Sequence, residues 1–509
     1  MNQTEILSLM SLPLTGAGNA ERLQSLLGEN WKYVPQIKRW VRWNGRFWQE
    51  EEDAAVYVAA VNAFRELSAA IRSLPNTYDR REMQRRQSVA DWLEKAEHAS
   101  KMKDAFLFLK SLVKEDYSAF DAEPLLLNVQ NGTLNLKTGE LLPHDRRHLL
   151  TKICAAAYEE KQEPEDVEPI TSAVTGEEKK NDCVSQAATA TPAAAEEEKP
   201  DGAATAEPKE KKPASLWEDT VNTILPDPDV RRWMQKFIGY CLTGSTEEEK
   251  FLITYGPGGC GKGTFFETVA AVLGDYKTVI PIDTLLAGTF YTNGEGPTPE
   301  LAKLAGKRYV LSSECNKCRS LDEAKMKLLT GGDTISARRL NANSFEFRPA
   351  FKLILQTNHL PNISDSQDNG LRRRLVIIPF NAKIAHRDLK LKQKLLSEEN
   401  LSACLAWCVE GAKLWKQEGL NDLPEAAKEA ARHFYEENDL LQQWLDERTE
   451  PSLGNLQHTR ALDNFNEWLL IGGNYKWRRK RFSDAMLAHG FTKVRMGCGY
   501  CYENICLRM

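Results

Sequence analysis

The chain has 509 residues, 42% of them hydrophobic and 27% charged, with a formal net charge of −5. That balance excludes a fibrous, disulfide-scaffold or wholly disordered protein and leaves room for about three globular domains. With no apolar run read as approaching a membrane span and no signal-peptide pattern, the expected location is the cytosol and no membrane partner is expected.

The charge is unevenly spread. Between 159 and 212 there are 15 acids and 7 bases, so the rest of the chain is mildly basic. The eleven cysteines are an odd number scattered through helical and strand-like stretches, which fits reduced core thiols better than a disulfide framework. The CxxC pairs Cys315/Cys318 and Cys498/Cys501 are too distant in sequence for shared structural zinc to be favoured.

In chain order, a helical stretch to about Leu27 precedes a segment dense in tryptophans and bases. Asn44-Gly45 between alternating residues predicts a hairpin with a type I′ turn. Trp40, Arg42, Trp43, Arg46 and Trp48 have the chemistry to stack on a single strand, but such tryptophans are more often the core of a small domain. Helical patterns at about 51–73 and 79–113 follow, then a second hairpin around Asn131 to Pro143, completing a mixed α/β N-terminal domain over 1–158. Residues 159–215, rich in Ala, Thr, Glu, Lys and Pro without apolar periodicity, are expected to be disordered.

Order resumes at Leu216-Trp217 and leads to an apolar strand at Phe251. Gly256-Pro-Gly258-Gly259-Cys-Gly261-Lys262-Gly263-Thr264 follows, then a helix ending near Gly274. Strand, glycine turn and helix are the context of a phosphate-binding loop: backbone N–H groups face the β-phosphate, the helix N-terminus adds positive charge, and Lys262 reaches the β- and γ-phosphates. The expected cofactors are ATP and Mg2+. Gly263 stands where the magnesium-binding hydroxyl usually is, so either Thr264 takes the metal-ligand role or water and phosphates hold the metal alone.

Downstream, the strand at Tyr309 ends in Ser313-Glu314. An acid at a strand tip after a phosphate loop can polarise the water attacking the γ-phosphate, and Glu314 is the catalytic and metal-ligand candidate. The strand from Phe351 ends at Asn358, which would orient the same water if its strand lay between the other two. Between them, residues 334–340 and 344–348 alternate around Asn341-Ala-Asn343, giving a β-hairpin. Lys325, Lys327, Arg338 and Arg339 are placed to neutralise phosphates; the bland alternative is surface pairing with Asp322, Glu323 and Asp333.

This series resembles the superfamily 3 AAA+ helicases, most closely the phage and plasmid primase-helicase group that includes the poxvirus replicative helicase. The matching pieces are the Gly256 to Lys262 loop, Ser313-Glu314, the stretch from Leu321 to Arg338, Thr357-Asn358 with Pro361, and Arg372-Arg373-Arg374 before an apolar strand. The resemblance implies an α/β fold with an AAA+ αβα sandwich over 216–380. It also implies assembly into a ring, commonly a hexamer, around DNA, with the hairpin lining the channel. Arg373, with its neighbours close behind, is expected to reach a neighbouring subunit's γ-phosphate. A helical bundle over 381–454 and a winged-helix domain over 455–509 complete the reading, and Arg478, Arg479, Lys480 and Arg481 are the expected duplex contacts.

Polymerising activity is not implied, since no primase carboxylate motif is read ahead of residue 130; a separate primase and other replication proteins are expected partners. The expected function is ATP-driven unwinding of DNA in the replication of a phage, plasmid or other mobile element. The rivals are a DNA-binding ATPase without unwinding and a non-catalytic DNA-holding ring. Deleting 163–212 is expected to leave ATP hydrolysis and assembly within about twofold of the full chain, because an insert without apolar periodicity contributes little to a fold. Aggregation of the deletion protein on gel filtration would contradict this.

Overall fold

The first helical stretch is two helices, α1 (Gln3–Ser11) and α2 (Gly16–Leu27), separated at Pro13, with the Thr15 hydroxyl accepting the Gly18 N–H at 3.1 Å to start the second. In the computed structural model, residues 1–160, 215–288, 298–313, 319–340, 344–363 and 366–508 are described. Most of the expected acidic insert, Glu314, and residues 341–343 of the hairpin turn lie outside them.

Strands β1 (Trp31–Val34), β2 (Arg39–Trp43) and β3 (Trp48–Glu51) form an antiparallel sheet. The expected type I′ turn is instead a four-residue loop, because Trp43 pairs with Trp48 and the Asn44 side-chain oxygen accepts the N–H groups of Arg46 and Phe47, both at 3.0 Å. Trp31 and Trp40 pack against α3 (Asp53–Arg72), α4 (Arg80–Ala96) and α5 (Ala99–Leu112), while Trp48 packs with Val34, Val41 and Phe120. These tryptophans are core.

The pattern read as one helix over 79–113 breaks at Glu97-His98, which lets Met102, Phe106 and Leu109 enter the core that holds Val89 and Leu93. At 20 residues, α3 is long and apolar enough to cross a membrane by length and composition, which corrects the expectation of no such run. Val56, Ala60, Phe64, Leu67 and Ile71 place its inner face in this core.

Strands β4 (Leu126–Val129), β5 (Gly132–Asn135) and β6 (Leu141–Leu142) make a second small sheet. It shares a core with α6 (Leu216–Ile224) and α7 (Pro228–Cys241): Leu127, Val129, Cys154 and Tyr158 are buried in one cluster with Trp217 and Phe237. Arg308, itself buried, donates to the carbonyls of Leu126 at 2.7 Å and Leu242 at 2.5 Å. The stretch from Leu127 to Tyr158 therefore shares its core with α6 and α7, whereas α1 to α5 have a core of their own.

The central element is a five-stranded parallel sheet in the order β13-β7-β12-β9-β8. Its parts are β7 (Phe251–Tyr255), α8 (Lys262–Leu273), β8 (Lys277–Val279), α9 (Pro299–Ala302), β9 (Tyr309–Ser313), α10 (Glu323–Thr330), β10 (Ile335–Arg338), β11 (Ser344–Phe347), β12 (Lys352–Thr357), α11 (Asn369–Arg372) and β13 (Leu375–Pro379). Alternate residues face opposite cores. Leu252, Ile354, Val376 and Ile378 join α7 and α8, whereas Phe251, Ile253, Leu353, Leu355 and Ile377 join α10 and the antiparallel β10–β11 pair. A sheet buried on both faces explains these near-continuous apolar runs.

The helices after β13, namely α12 (Leu391–Leu395), α13 (Glu398–Glu418), α14 (Glu425–Asn438) and α15 (Leu440–Arg448), do not form a separate bundle. Helix α13 crosses α7 so closely that a Cβ on Gly239 would lie 2.0 Å from the Ala412 nitrogen, and Ala430, Phe434 and Tyr435 of α14 cover the sheet's other face. Each is drawn to an apolar face that needs cover.

Helix α15 opens the last body, since Leu441 and Trp444 pack with Phe465, Phe482 and Tyr502; its start therefore precedes 455. With β14 (Thr449–Gln457), α16 (His458–Ile471), α17 (Arg479–Ala488), β15 (Lys493–Met496) and β16 (Gly499–Leu507), it runs helix, strand, helix, helix, strand, strand, with antiparallel order β14-β16-β15. Most cysteines described are buried, and Cys498 and Cys501 lie with sulfurs 3.5 Å apart.

His489 at the end of α17 holds this body to the α14–α15 junction: Nε2 is 3.1 Å from an Asp439 carboxylate oxygen and Nδ1 is 2.8 Å from the Ala485 carbonyl oxygen. Both contacts suit a doubly protonated ring, and the Asp439 hydrogen bond raises the His489 pKa above its ordinary 6.5. The stabilisation is thus complete below the unfolded pKa and is lost as pH rises through the folded one. His489→Gln should cost about 1–2 kcal/mol at pH 5.5 and close to nothing at pH 9, measured as the difference from wild type in urea unfolding. An equal loss at both pH values would contradict the ion pair.

Candidate nucleotide-binding site

The loop after β7 turns into α8 at Gly261, which sits at φ +93 as the helix N-cap. A Cβ there would lie 2.5 Å from Ile224 Cγ1, and one on Gly256 would lie 2.2 Å from the Phe380 carbonyl oxygen. The loop is therefore a backbone cradle packed between α6 and the segment after β13. Lys262, 8% exposed, donates from Nζ to the Gly256 carbonyl at 2.6 Å and to the Pro257 carbonyl at 3.3 Å. The same ammonium is 3.4 Å from Asn358 Oδ1.

Strand β12 lies between β7 and β9, so Asn358, directly after it, stands beside the loop at the carboxyl edge of the sheet. Ser313, the last residue of β9, lines the same cavity, and Glu314 follows it outside the described residues. That cavity has a volume of about 880 Å³ and takes in Gly258, Gly259, Gly261, Gly263 and Thr264 of the loop. Its size and its cradle of N–H groups fit a nucleoside triphosphate. The hydroxyls of Thr264 and Ser313 offer hard oxygens suited to Mg2+ beside phosphates. Position 263 has ordinary room for a side chain, with Glu267 Oε1 at 3.5 Å from a Cβ built there.

Two parts of the wall were not singled out from the sequence. One is α6, through Thr220, Thr223 and Ile224; the other is the segment that leads into α12, through Ile384 and Arg387, with Lys392 of α12 itself. The capping box of Ser215 and Glu218 marks the start of α6 in sequence, but nothing in the pattern of Ala385-His386-Arg387-Asp388 announces proximity to the loop.

Arg373 is not at this site in its own chain. It precedes β13, at the amino-terminal end of the sheet, where Glu249 holds it at 2.7 Å and buried Arg374 at 2.9 Å. Arg372 lies over the Tyr435 ring at 4.4 Å and donates to the Ser366 carbonyl. Arg372 and Arg373 are both exposed, Arg373 at 64% of its side chain, while Arg374 is buried.

The expected β10–β11 hairpin is present, with Ile335, Ala337, Phe345 and Phe347 turned to the core and Ser336 and Arg338 outward. Arg339 reaches Glu50 at 3.6 Å and lies over Phe345; Lys325 pairs with Asp322 at 3.6 Å, and Lys327 with Asp368. Lys325, Lys327 and Arg339 thus each have an acidic partner within the chain, and of these partners only Asp322 is among the acids that the sequence offered. In the C-terminal body Arg478, Arg479, Lys480 and Arg481 are all exposed at the start of α17, and Arg481 stacks on Trp477 at 3.8 Å. Among the described residues no ion pair neutralises Arg478, Arg479 or Lys480.

Two sequence families match the chain: one described as D5 N terminal like over residues 20–226, and a family of unknown function, DUF5906, over 254–374. A protein of Acanthamoeba polyphaga mimivirus provisionally named helicase L207/L206 is 37% identical over 34% of this chain and 18% of its own length. A protein of Frog virus 3 provisionally named helicase 022R is 25% identical over 48% of this chain and 27% of its own length. One of African swine fever virus, provisionally named primase C962R, is 27% identical over 33% and 17%. The matched stretches span less than a third of each of these relatives. The NrS-1 C-terminal region aligns over 95% of this chain and 98% of its own at 10% identity and a TM-score of 0.46. The family and viral matches support a relationship to primase-helicase proteins.

Gly261→Ala should abolish nucleotide binding and also lower the thermal midpoint, since both φ and buried Ile224 oppose a side chain there; binding of a fluorescent ATP analogue below that midpoint is the check. Lys262→Ala should remove hydrolysis. Wild-type binding by Gly261→Ala would show that the loop does not hold the phosphates.

Proposed function

We propose that the chain is an ATP-driven helicase of the superfamily 3 AAA+ type that assembles into a ring, commonly a hexamer, and unwinds DNA in replication of a virus or other mobile element. The observation that carries this reading is the strand order β13-β7-β12-β9-β8, which sets Lys262 beside Asn358 and the end of β9 around one cavity. On this reading Gly256 to Thr264 bind the triphosphate, Thr264 and Glu314 hold Mg2+, Glu314 polarises the attacking water and Asn358 orients it. The helicase names of the mimivirus and Frog virus 3 relatives support the same activity, and the primase name of the African swine fever virus relative supports a role in replication.

Arg373 lies at the opposite end of the sheet from its own loop and projects outward, which favours a role in a neighbouring copy's site. Arg338 and Arg339 on the hairpin, with Lys325 and Lys327 behind, grip a single strand. The strand order of the C-terminal body supports a winged helix, and the bases of α17 contact duplex. Four bases at a helix N-terminus oppose its dipole, and phosphates would offset that cost.

The test is strand displacement on a forked substrate together with DNA-stimulated ATP hydrolysis. Unwinding that needs Lys262 is the expected result. Hydrolysis without unwinding would replace this reading with a DNA-binding ATPase, and neither activity would leave a holding ring. Arg338→Ala with Arg339→Ala should block unwinding and spare basal hydrolysis. Alanine at 478–481 should instead lower the salt dependence of duplex binding, by roughly 0.9 in slope for each phosphate no longer neutralised, and spare a preloaded fork.

A further inference from the structure

We propose that Arg387 and Lys392 form a second phosphate clamp, supplied by the nucleotide site's own chain and set against Gly259 and Gly263 of the loop. The inference rests on reading the cavity as a nucleoside triphosphate site and names two further residues that hold the ligand there.

The segment that bears them is fixed to the loop at its start. The Phe380 N–H donates to the Tyr255 carbonyl at 2.8 Å, and the Phe380 carbonyl oxygen crowds Gly256. Seven residues on, the Arg387 guanidinium lies directly against the middle of the loop: a Cβ on Gly259 would stand 1.9 Å from Nη2 and 2.8 Å from Cζ. Gly259 has φ +85, so the backbone reserves the position for glycine, and the space a side chain would take is filled by the guanidinium. Lys392, at the start of α12, reaches a second bare position, with Nζ 3.9 Å from a Cβ on Gly263. Gly259 and Gly263 are thus each covered by a cation from one segment.

The cations at this part of the cavity favour a bound anion, although Asp219 and Asp388 also line it. Lys262, the amino terminus of α8, Arg387 and Lys392 all bring positive charge to one end of the cavity. Arg387 has no acidic partner among the described residues, and the adjacent Asp388 is committed to Lys394 at 2.7 Å. Lys392 is held by Glu267 at 2.6 Å, one helical turn beyond Gly263 on the same face of α8, where side chains lean toward the helix start. A polyphosphate satisfies this arrangement. The planar Arg387 fork takes two phosphate oxygens, and Lys392 exchanges Glu267 for a phosphate oxygen.

Binding of fluorescent ATP and ADP analogues to the full chain tests this. Arg387→Ala should weaken ATP binding about tenfold or more with no change in thermal midpoint, Arg387→Lys should recover part of the loss, and Lys392→Ala should weaken it several-fold. Wild-type affinity in the Arg387→Ala, Lys392→Ala double variant, with binding lost in Lys262→Ala, would overturn the clamp and leave the loop reading standing. Wild-type affinity in Lys262→Ala as well would remove the loop reading and the clamp with it.

Discussion

Everything in this molecule depends on burying both faces of one parallel sheet. Five parallel strands cannot leave a face to water, so α7, α8 and α13 are drawn over one side and α10, α14 and the β10–β11 pair over the other. Because the strands are parallel, every loop leaving a carboxyl end emerges along a single edge. That edge collects the glycine loop, Asn358 and the end of β9 without any of them being adjacent in sequence. The site is a consequence of the sheet's connectivity.

The sheet's two ends differ chemically. At the carboxyl edge, cations surround a cradle of backbone N–H groups. At the amino edge, cations are tied into the chain: Lys352 is buried and donates to the carbonyls of Thr243 at 2.5 Å and of Ser245 and Ala350 at 3.2 Å, while Arg308 fixes β4 and the end of α7. Glu249, a non-glycine residue at φ +51, holds Arg374 inside and Arg373 outside. On the proposed ring reading, one copy's amino edge meets the next copy's carboxyl edge, and Glu249 keeps Arg373 aimed until it does.

The glycine loop, the three strands that surround it and the hairpin were legible because each carries a local pattern: glycines free to adopt positive φ, apolar runs or strict alternation. The parts that were not legible depend on residues distant in sequence. The break at Glu97-His98 is set by the core that α5 must reach, and the assignment of α13 to the sheet rests on a Gly239–Gly411 crossing invisible to periodicity. The shared core across the expected boundary at 158 was hidden for the same reason, since Leu127 and Tyr158 are buried in one cluster with Trp217, far along the chain. Lys327 read as a base with Asp322, Glu323 and Asp333 as its alternative partners, yet the turn before α11 brings Asp368 to it. Arg387 had no pattern at all; only the return of the chain over Gly259 gives it a role.

The central claim, that Lys262 of one copy and Arg373 of another complete a single hydrolytic site, is tested by mixing two inactive proteins. Lys262→Ala and Arg373→Ala should each lose ATP hydrolysis alone, and a mixture should regain a clear fraction of wild-type turnover, because some interfaces then pair an intact Lys262 with an intact Arg373. A mixture as inactive as its components, or an Arg373→Ala protein as active as wild type, would contradict the shared site.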